Sequence, residues 1–407
     1  MAENKQIPAI RFREFKEEWV EVELKDVSIY SNGGSFENQT QENGRYELIT
    51  LKSIDMQGKL VSSGRYIDIE TPTLKKDTLV MILSEQSPGL LGMTTLIPTD
   101  NEFVLNQRVA EIRPNKDISS YFLSMAINKN QYYFSRCGAG TKVQNISKPN
   151  VERYAFSCPQ CKEQTQIGSY FQNLDKLISL HHAKVNKLAN LKKAMLEKMF
   201  PKDGADVPEI RFKGFDGAWE KSRFGDCVLI QRGGSPRPIE SFITNEENGI
   251  NWIKIGDVSK ASRYITKTKE KIIPSGEKYS RRVYAGDLIL SNSMSFGRPY
   301  IMAIEGCIHD GWLVIRDENK LFNLEYLLQL LSSDFMLEQY KALASGGVVI
   351  NLNSELVQST TVYVPILAEQ EKIGAYFQNL DNLIALHQTE LDKLNNLKKA
   401  CLEKMFV

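Results

Sequence analysis

The chain carries one long segment twice, nearly unchanged. Residues 163–200 read EQTQIGSYFQNLDKLISLHHAKVNKLANLKKAMLEKMF, and residues 369–406 read EQEKIGAYFQNLDNLIALHQTELDKLNNLKKACLEKMF. Aligned without gaps at an offset of 206, 26 of the 38 positions are identical. A second match opens each half. Pro8-Ala9-Ile10-Arg11-Phe12, with Phe15 and Trp19, recurs as Pro208-Glu209-Ile210-Arg211-Phe212, with Phe215 and Trp219. Gly33-Gly34-Ser35 recurs as Gly233-Gly234-Ser235. A period near 200 residues is a domain duplication, because solenoid units are far shorter. The boundaries expected are a first globular domain over 1–155, a central conserved helix over 156–203, a second globular domain over 204–365 and a C-terminal conserved helix over 366–407.

The repeated segment predicts a helix with an apolar seam. From Ile167 the apolar residues fall at Phe171, Leu174, Ile178, Val185, Leu188 and Met195, the alternating 4,3 spacing of a coiled coil. The second copy offers Ile373, Phe377, Leu380, Ile384, Leu391, Leu394 and Cys401. Leu177, Leu180 and Leu191, with Leu383, Leu386 and Leu397, form a second strip beside the seam. A strip this wide implies more than one neighbour. Two arrangements bury the seam: each helix on its own domain, or the two copies packed antiparallel on each other. The second buries both seams at once. His181 and His387 occupy matching seam positions and read as polar register-setters rather than metal ligands.

Charge and composition exclude several classes. Lys and Arg number 51 against 50 Asp and Glu, a formal net charge of +1, with 42% hydrophobic and 25% charged residues. This is ordinary globular usage, not that of a disordered tail, a fibrous repeat or a supercharged nucleic-acid condenser. Six Cys are too few for a disulfide scaffold. No run approaches the ~20 apolar residues of a membrane span, and the opening residues lack a secretory apolar stretch. The expectation is a soluble cytoplasmic protein with no membrane partner.

Between the repeated elements, residues ~20–155 and ~220–362 hold short apolar runs bounded by Gly, Pro, Asn and Ser, which read as strands between loops. Leu79–Leu83, Leu288–Leu290 and Val362–Val364 are examples. Helical stretches are expected over Ser119–Phe134 and Leu324–Leu343. The fold class is therefore α+β: two globular domains separated by two long helices that form an antiparallel coiled coil with a pseudo-two-fold internal repeat. Polar and basic side chains in the loops suit paired hydrogen bonds to base edges and neutralisation of phosphate. The first domain offers Arg45, Lys52, Gln86, Arg108, Arg136, Lys142, Gln144 and Asn145. The second offers Arg232, Arg237, Lys254, Arg263, Arg281, Arg282, Asn292 and Arg298.

Motifs for chemistry are missing. The chain has no G-x-x-x-x-G-K-[ST] phosphate loop, no G-x-G-x-x-G opening a helix, no H-E-x-x-H and no G-x-S-x-G. It also lacks the Asn-Pro-Pro or Asp-Pro-Pro tetrad of adenine methylation. Cys158-Pro159-Gln160-Cys161 is a lone C-x-x-C without the second pair that a zinc ribbon needs. No catalytic or metal site is expected on this chain.

The duplicated plan, the Pro-x-Ile-Arg-Phe…Trp openings and the Glu-Gln…Ile-Gly-x-Tyr-Phe-Gln-Asn-Leu-Asp helices resemble the specificity subunits of type I restriction-modification systems across essentially the whole chain. The resemblance implies two target recognition domains, each reading one half of a split double-stranded DNA sequence. It implies that the paired helices set the spacing and carry two methylation subunits, which restriction subunits join. Phe171, Leu174, Ile178, Leu188, Leu191, Phe377, Leu380, Ile384, Leu394 and Leu397 are the helix residues expected in these contacts. S-adenosylmethionine, ATP and Mg are then expected on the partner subunits and none on this chain. The rival readings are a coiled-coil scaffold without DNA specificity and a single-chain restriction enzyme.

Overall fold

The computed structural model describes residues 7–407 apart from 86–88, 141, 203, 259–261, 293–295 and 345–351. Two compact units form, residues 1–181 with 389–407 and residues 182–388. Both units are α+β, and the division cuts each long helix into two parts.

In the first unit a four-stranded antiparallel sheet runs Ser28–Asn32, Val109–Pro114, Leu79–Ile82, Thr94–Leu96. A three-stranded sheet, Tyr66–Ile67, Tyr46–Ile49, Phe103–Leu105, joins its last two members in parallel. Val20–Glu23 pairs with Ala155–Cys158 to close the domain. The second unit repeats this plan and extends it. Its main sheet runs Leu229–Arg232, Trp312–Arg316, Leu288–Ser291, Pro299–Met302, with Tyr264–Ile265 added as a fifth strand. Its other sheet adds Ile243–Thr244 and Arg281–Val283 to the three corresponding strands. Glu220–Arg223 pairs with Thr361–Val364.

Each expected globular helix is two helices. Ser120–Lys129 gives way to Gln131–Cys137 at Asn130, whose side chain accepts from the Tyr133 amide. Leu324–Ser332 gives way to Asp334–Ala344 at Ser333, whose hydroxyl accepts from the Met336 amide. Short polar side chains at these junctions satisfy the next helix's free N–H groups and end the first run.

The repeated segments form helices Cys161–Lys198 and Leu367–Lys404, 38 residues each, about 57 Å at the usual rise. In the first unit Asp175 accepts from Lys398 at 2.6 Å, Tyr170 meets Cys401, and Phe171 lies 6.1 Å from Phe406. Residues in the first part of the first helix thus meet the end of the second copy, so the segments run antiparallel. In the second unit Lys192 bonds Asp381 at 2.6 Å and Phe200 packs 6.2 Å from Phe377, again antiparallel. Each of these ion pairs is the other's repeat at an offset of 206. Both arrangements of the seam thus occur. Ile167, Phe171 and Leu174 pack into their own domain's core, which Cys401, Met405 and Phe406 of the other copy complete. In the second unit Ile373, Phe377 and Leu380 share a core with Met199 and Phe200.

The repeated openings clasp these helix ends. The Ile10 amide donates to the Lys404 carbonyl at 2.9 Å and closes that helix's last turn. Its neighbour Arg11 donates twice to buried Glu163, at 2.6 and 2.7 Å. Ile210 bonds Lys198 at 2.8 Å and Arg211 grips buried Glu369 at 2.7 and 2.8 Å in the same manner. The adjoining Gln164 accepts from the Ser119 amide and donates to the Pro159 carbonyl, as Gln370 does with Asn323 and Pro365. Trp19 packs against Phe122 and Phe406, and Trp219 against Phe200 and Tyr326.

Removing one partner of such a pair leaves a buried charge uncompensated, which costs about 3–5 kcal/mol, whereas apolar replacement of both is far milder. Arg211→Met should destabilise the second unit by about that amount, and Arg211→Met with Glu369→Met should recover most of it. Urea unfolding followed by tryptophan fluorescence measures both; equal losses in the single and double variants contradict the pairing.

Candidate nucleic-acid interface

The Gly-Gly-Ser repeats build the same backbone frame in both units. In the first, Gly33 donates to the Val109 carbonyl and Gly34 to that of Leu105, which brackets Asn106, Gln107 and Arg108. In the second, Gly233 donates to Trp312 and Gly234 to Ile308, which brackets His309, Asp310 and Gly311. The Asn106 amide bonds Ile49 and the His309 amide bonds Ile253. The Arg108 carbonyl accepts from Leu83, and that of Gly311 from Asn292. Glycine is required at the first position by close approach. A Cβ on Gly33 would stand 2.0 Å from the Asn106 carbonyl oxygen, and one on Gly233 2.2 Å from that of His309.

A groove lies beside this frame in each unit, and its side chains differ. The first, about 380 Å³, is lined by Glu37, Thr40, Lys52, Arg65, Asn106, Gln107 and Arg108 among others. Glu37 accepts from Gln107 and from the Ser35 hydroxyl, and these bonds hold its carboxyl below the usual range. Arg108 and Lys52 are exposed. The second groove, about 720 Å³, is lined by Ser235, Arg237, Glu240, Trp252, Lys254, His309 and Asp310 among others. Ser235 donates to the Asp310 carboxylate at 2.9 Å, while Arg232 and Asn292 both donate to its backbone carbonyl, at 3.1 and 2.8 Å. Arg237 is 82% exposed with its guanidinium 3.7 Å from that carboxylate. A larger cleft of about 830 Å³ in the first unit, lined by Lys59, Lys129, Lys176 and Lys398 among others, stands apart from the frame.

The remaining candidates fall in several places. Lys142 is exposed, Gln144 and Asn145 pair with Ser84–Glu85, and Ser84 donates to Asn145 at 2.6 Å. Arg136 covers the ring of Tyr132 and Arg45 that of Tyr46. Gln86 lies outside the described residues, as does most of the Gly346-Gly347 loop. Lys254 pairs with Glu270. Arg263 is tied to Glu325 and, at 3.6 Å, to Asp381 on the second long helix. Arg282 bonds Glu305 at 2.9 Å and Glu277 at 3.3 Å. Arg281 is half-buried in its strand, and Arg298 lies over the ring of Tyr300. The grooves thus bring together Lys52 and Arg108 in one unit, and Arg237 and Lys254 in the other, with Arg232 and Asn292 holding the latter's wall. Glu37, Gln107, His309 and Asp310 belong to these grooves and escaped the sequence reading. A reading based on base-sized donors passes over the acceptors Glu37 and Asp310, although carboxylates do accept from cytosine.

On the helices, Phe171, Leu174, Ile178, Phe377 and Leu380 are buried, and Leu188, Ile384 and Leu394 are half-buried. Leu177, Leu180 and Leu397 of the first unit and Leu191, Leu383 and Leu386 of the second remain 40–55% exposed. The strip beside the seam is therefore open in both. No helix among the described residues is long and apolar enough to cross a membrane, and these residues hold no cluster of potential metal ligands.

The type I restriction modification DNA specificity domain model matches residues 16–190 and 217–396. A putative type I restriction enzyme specificity subunit, MjaX, of Methanocaldococcus jannaschii is 21% identical, with 95% of this chain and 92% of that protein covered. The MjaVIII specificity subunit of the same organism is 21% identical over 70% of this chain and 69% of its own length. The fold is similar to the crystal structure of a type I restriction-modification S subunit from M. genitalium, with a TM-score of 0.69 and 15% identity over 98% of this chain and 99% of that one.

Burial lowers the pKa of His309 below the ordinary imidazole value, against a weaker opposing pull from Asp310. The unfolded chain then takes up this proton first, near pH ~6.5, so the stability contributed by the neutral ring is complete above that pH and falls as pH drops below it. Thermal unfolding between pH 7.5 and 5.5 should show a smaller loss of stability in His309→Asn than in the native chain. An equal loss excludes the buried neutral ring.

Proposed function

The chain belongs to the type I restriction-modification DNA specificity family, and from that premise we propose that each globular domain reads one half of a bipartite, asymmetric DNA target. The observation that carries this reading is the shared frame with unlike side chains. Matched backbone bonds anchor the corresponding loop in both units, while the groove beside it presents Lys52, Gln107 and Arg108 in one and Arg237, His309 and Asp310 in the other. Backbone bonds ask nothing of side-chain identity, so the grooves are free to suit different base edges. Unlike grooves call for unlike half-sites.

The paired helices set the gap between the halves on this reading, and the exposed leucine strips receive two methylation subunits. Their apolar, solvent-facing character supports that role. Methyl transfer from S-adenosylmethionine to adenine, and ATP- and Mg-dependent restriction, reside on partner subunits in the cytoplasm. The net charge of +1 fits a reader whose partners supply part of the phosphate contacts.

Mapping methylated adenines in cells that carry this chain with its partners tests the reading. A two-part motif with unlike halves is expected, and sequence-independent methylation overturns it. Exchange of residues 20–155 for those of another family member should change one half and leave the other intact; changes in both contradict domain autonomy. Inserting one heptad after Leu180 and one after Leu386 keeps the seam in phase and adds about 10 Å to each helix. The gap should widen by about three base pairs at ~3.4 Å each. An unchanged gap excludes the helices as the ruler.

A further inference from the structure

We propose that Arg108 is the side chain through which the first domain reads a guanine, an inference that rests on the DNA-reading function above. Three observations converge on it. Its backbone sits at φ +66°, in the left-handed region that side chains with a Cβ avoid. The fold uses only its backbone there, since its carbonyl accepts from the Leu83 amide. The matching residue of the second unit is Gly311, so the frame closes without any side chain at this point.

The second observation is electrostatic. The Arg108 guanidinium has no hydrogen-bond or ion-pair partner among the described residues, whereas Arg11, Arg211, Arg263, Arg282 and Arg316 are all engaged with carboxylates. The third is placement. Arg108 is exposed and lines a groove where Lys52 and Arg65 are set against one carboxylate, Glu37, itself held by Gln107. An unfavourable backbone that keeps a free guanidinium over a cationic groove is a pattern of function rather than of folding. Its planar fork matches the O6 and N7 acceptors of guanine in the major groove, and Lys52 beside it suits the neighbouring phosphate.

The test uses the full chain assembled with its methylation subunits on a randomised DNA library, with methylated adenines read by sequencing. The native complex must first yield a bipartite motif; without one, the DNA-reading function itself fails before Arg108 is questioned. Arg108→Gly and Arg108→Asn both tolerate the left-handed backbone. Each should relax discrimination at one G·C pair of one half by roughly 5- to 150-fold, the range of a bidentate base contact. The other positions, the other half and the gap should persist, with the melting temperature unchanged or raised. A motif unchanged in both variants overturns the proposal. A uniform loss at every sequence overturns it in favour of a phosphate contact. A lowered melting temperature in both variants overturns it by showing that the side chain serves the fold.

Discussion

One buried carboxylate organises each half of this chain. Glu163 and Glu369 are removed from water, and a buried charge is tolerable only when paired and hydrogen-bonded. Arg11 and Arg211 supply two parallel N–H donors each, which a lysine could not. Satisfying the carboxylate draws the opening segment of each half onto the start of one long helix. The residue before each arginine then donates its amide to the last turn of the other helix. One short motif thereby fixes two helix ends and seats a tryptophan in the core beneath.

This division of labour explains why the repeated parts change little and the globular parts much. The clasp, the Glu-Gln dipeptides and the seam aromatics interlock, so a change in one leaves a partner unsatisfied or a cavity open. The grooves stand on backbone bonds and two glycines. Exposed side chains on their rims, such as Lys52, Arg108 and Arg237, support none of the repeated elements, which leaves them available to diverge between copies.

The electrostatics follow the same split. Many cations are spent on internal pairs: Lys192 and Lys398 join helix to helix, Arg263 joins its domain to the helix, and Arg316 bonds Asp287. A near-zero net charge is therefore compatible with a locally cationic groove such as that of the first unit, where Lys52, Arg65 and Arg108 face Glu37. Basic residues counted along the sequence overstate the number free to meet an anion, as Arg263 and Arg282 illustrate.

The duplication, the α+β class, the long helices and their seam were all legible in the sequence, because periodicity and self-similarity are local signals that survive without a partner. The Glu-Gln and Pro-x-Ile-Arg-Phe motifs could be seen but not interpreted, since Arg11 and Glu163 lie 152 residues apart. The break at Asn130 is not legible locally, because a capping side chain and a helical one share the same apolar run. Which leucines are covered and which stay open, which arginines are paired and which free, and that Asn106, Gln107 and Arg108 correspond to His309, Asp310 and Gly311, were decided by tertiary structure alone. The reason is physical: burial and charge pairing are set by neighbours distant in the chain, and only the folded backbone brings them together.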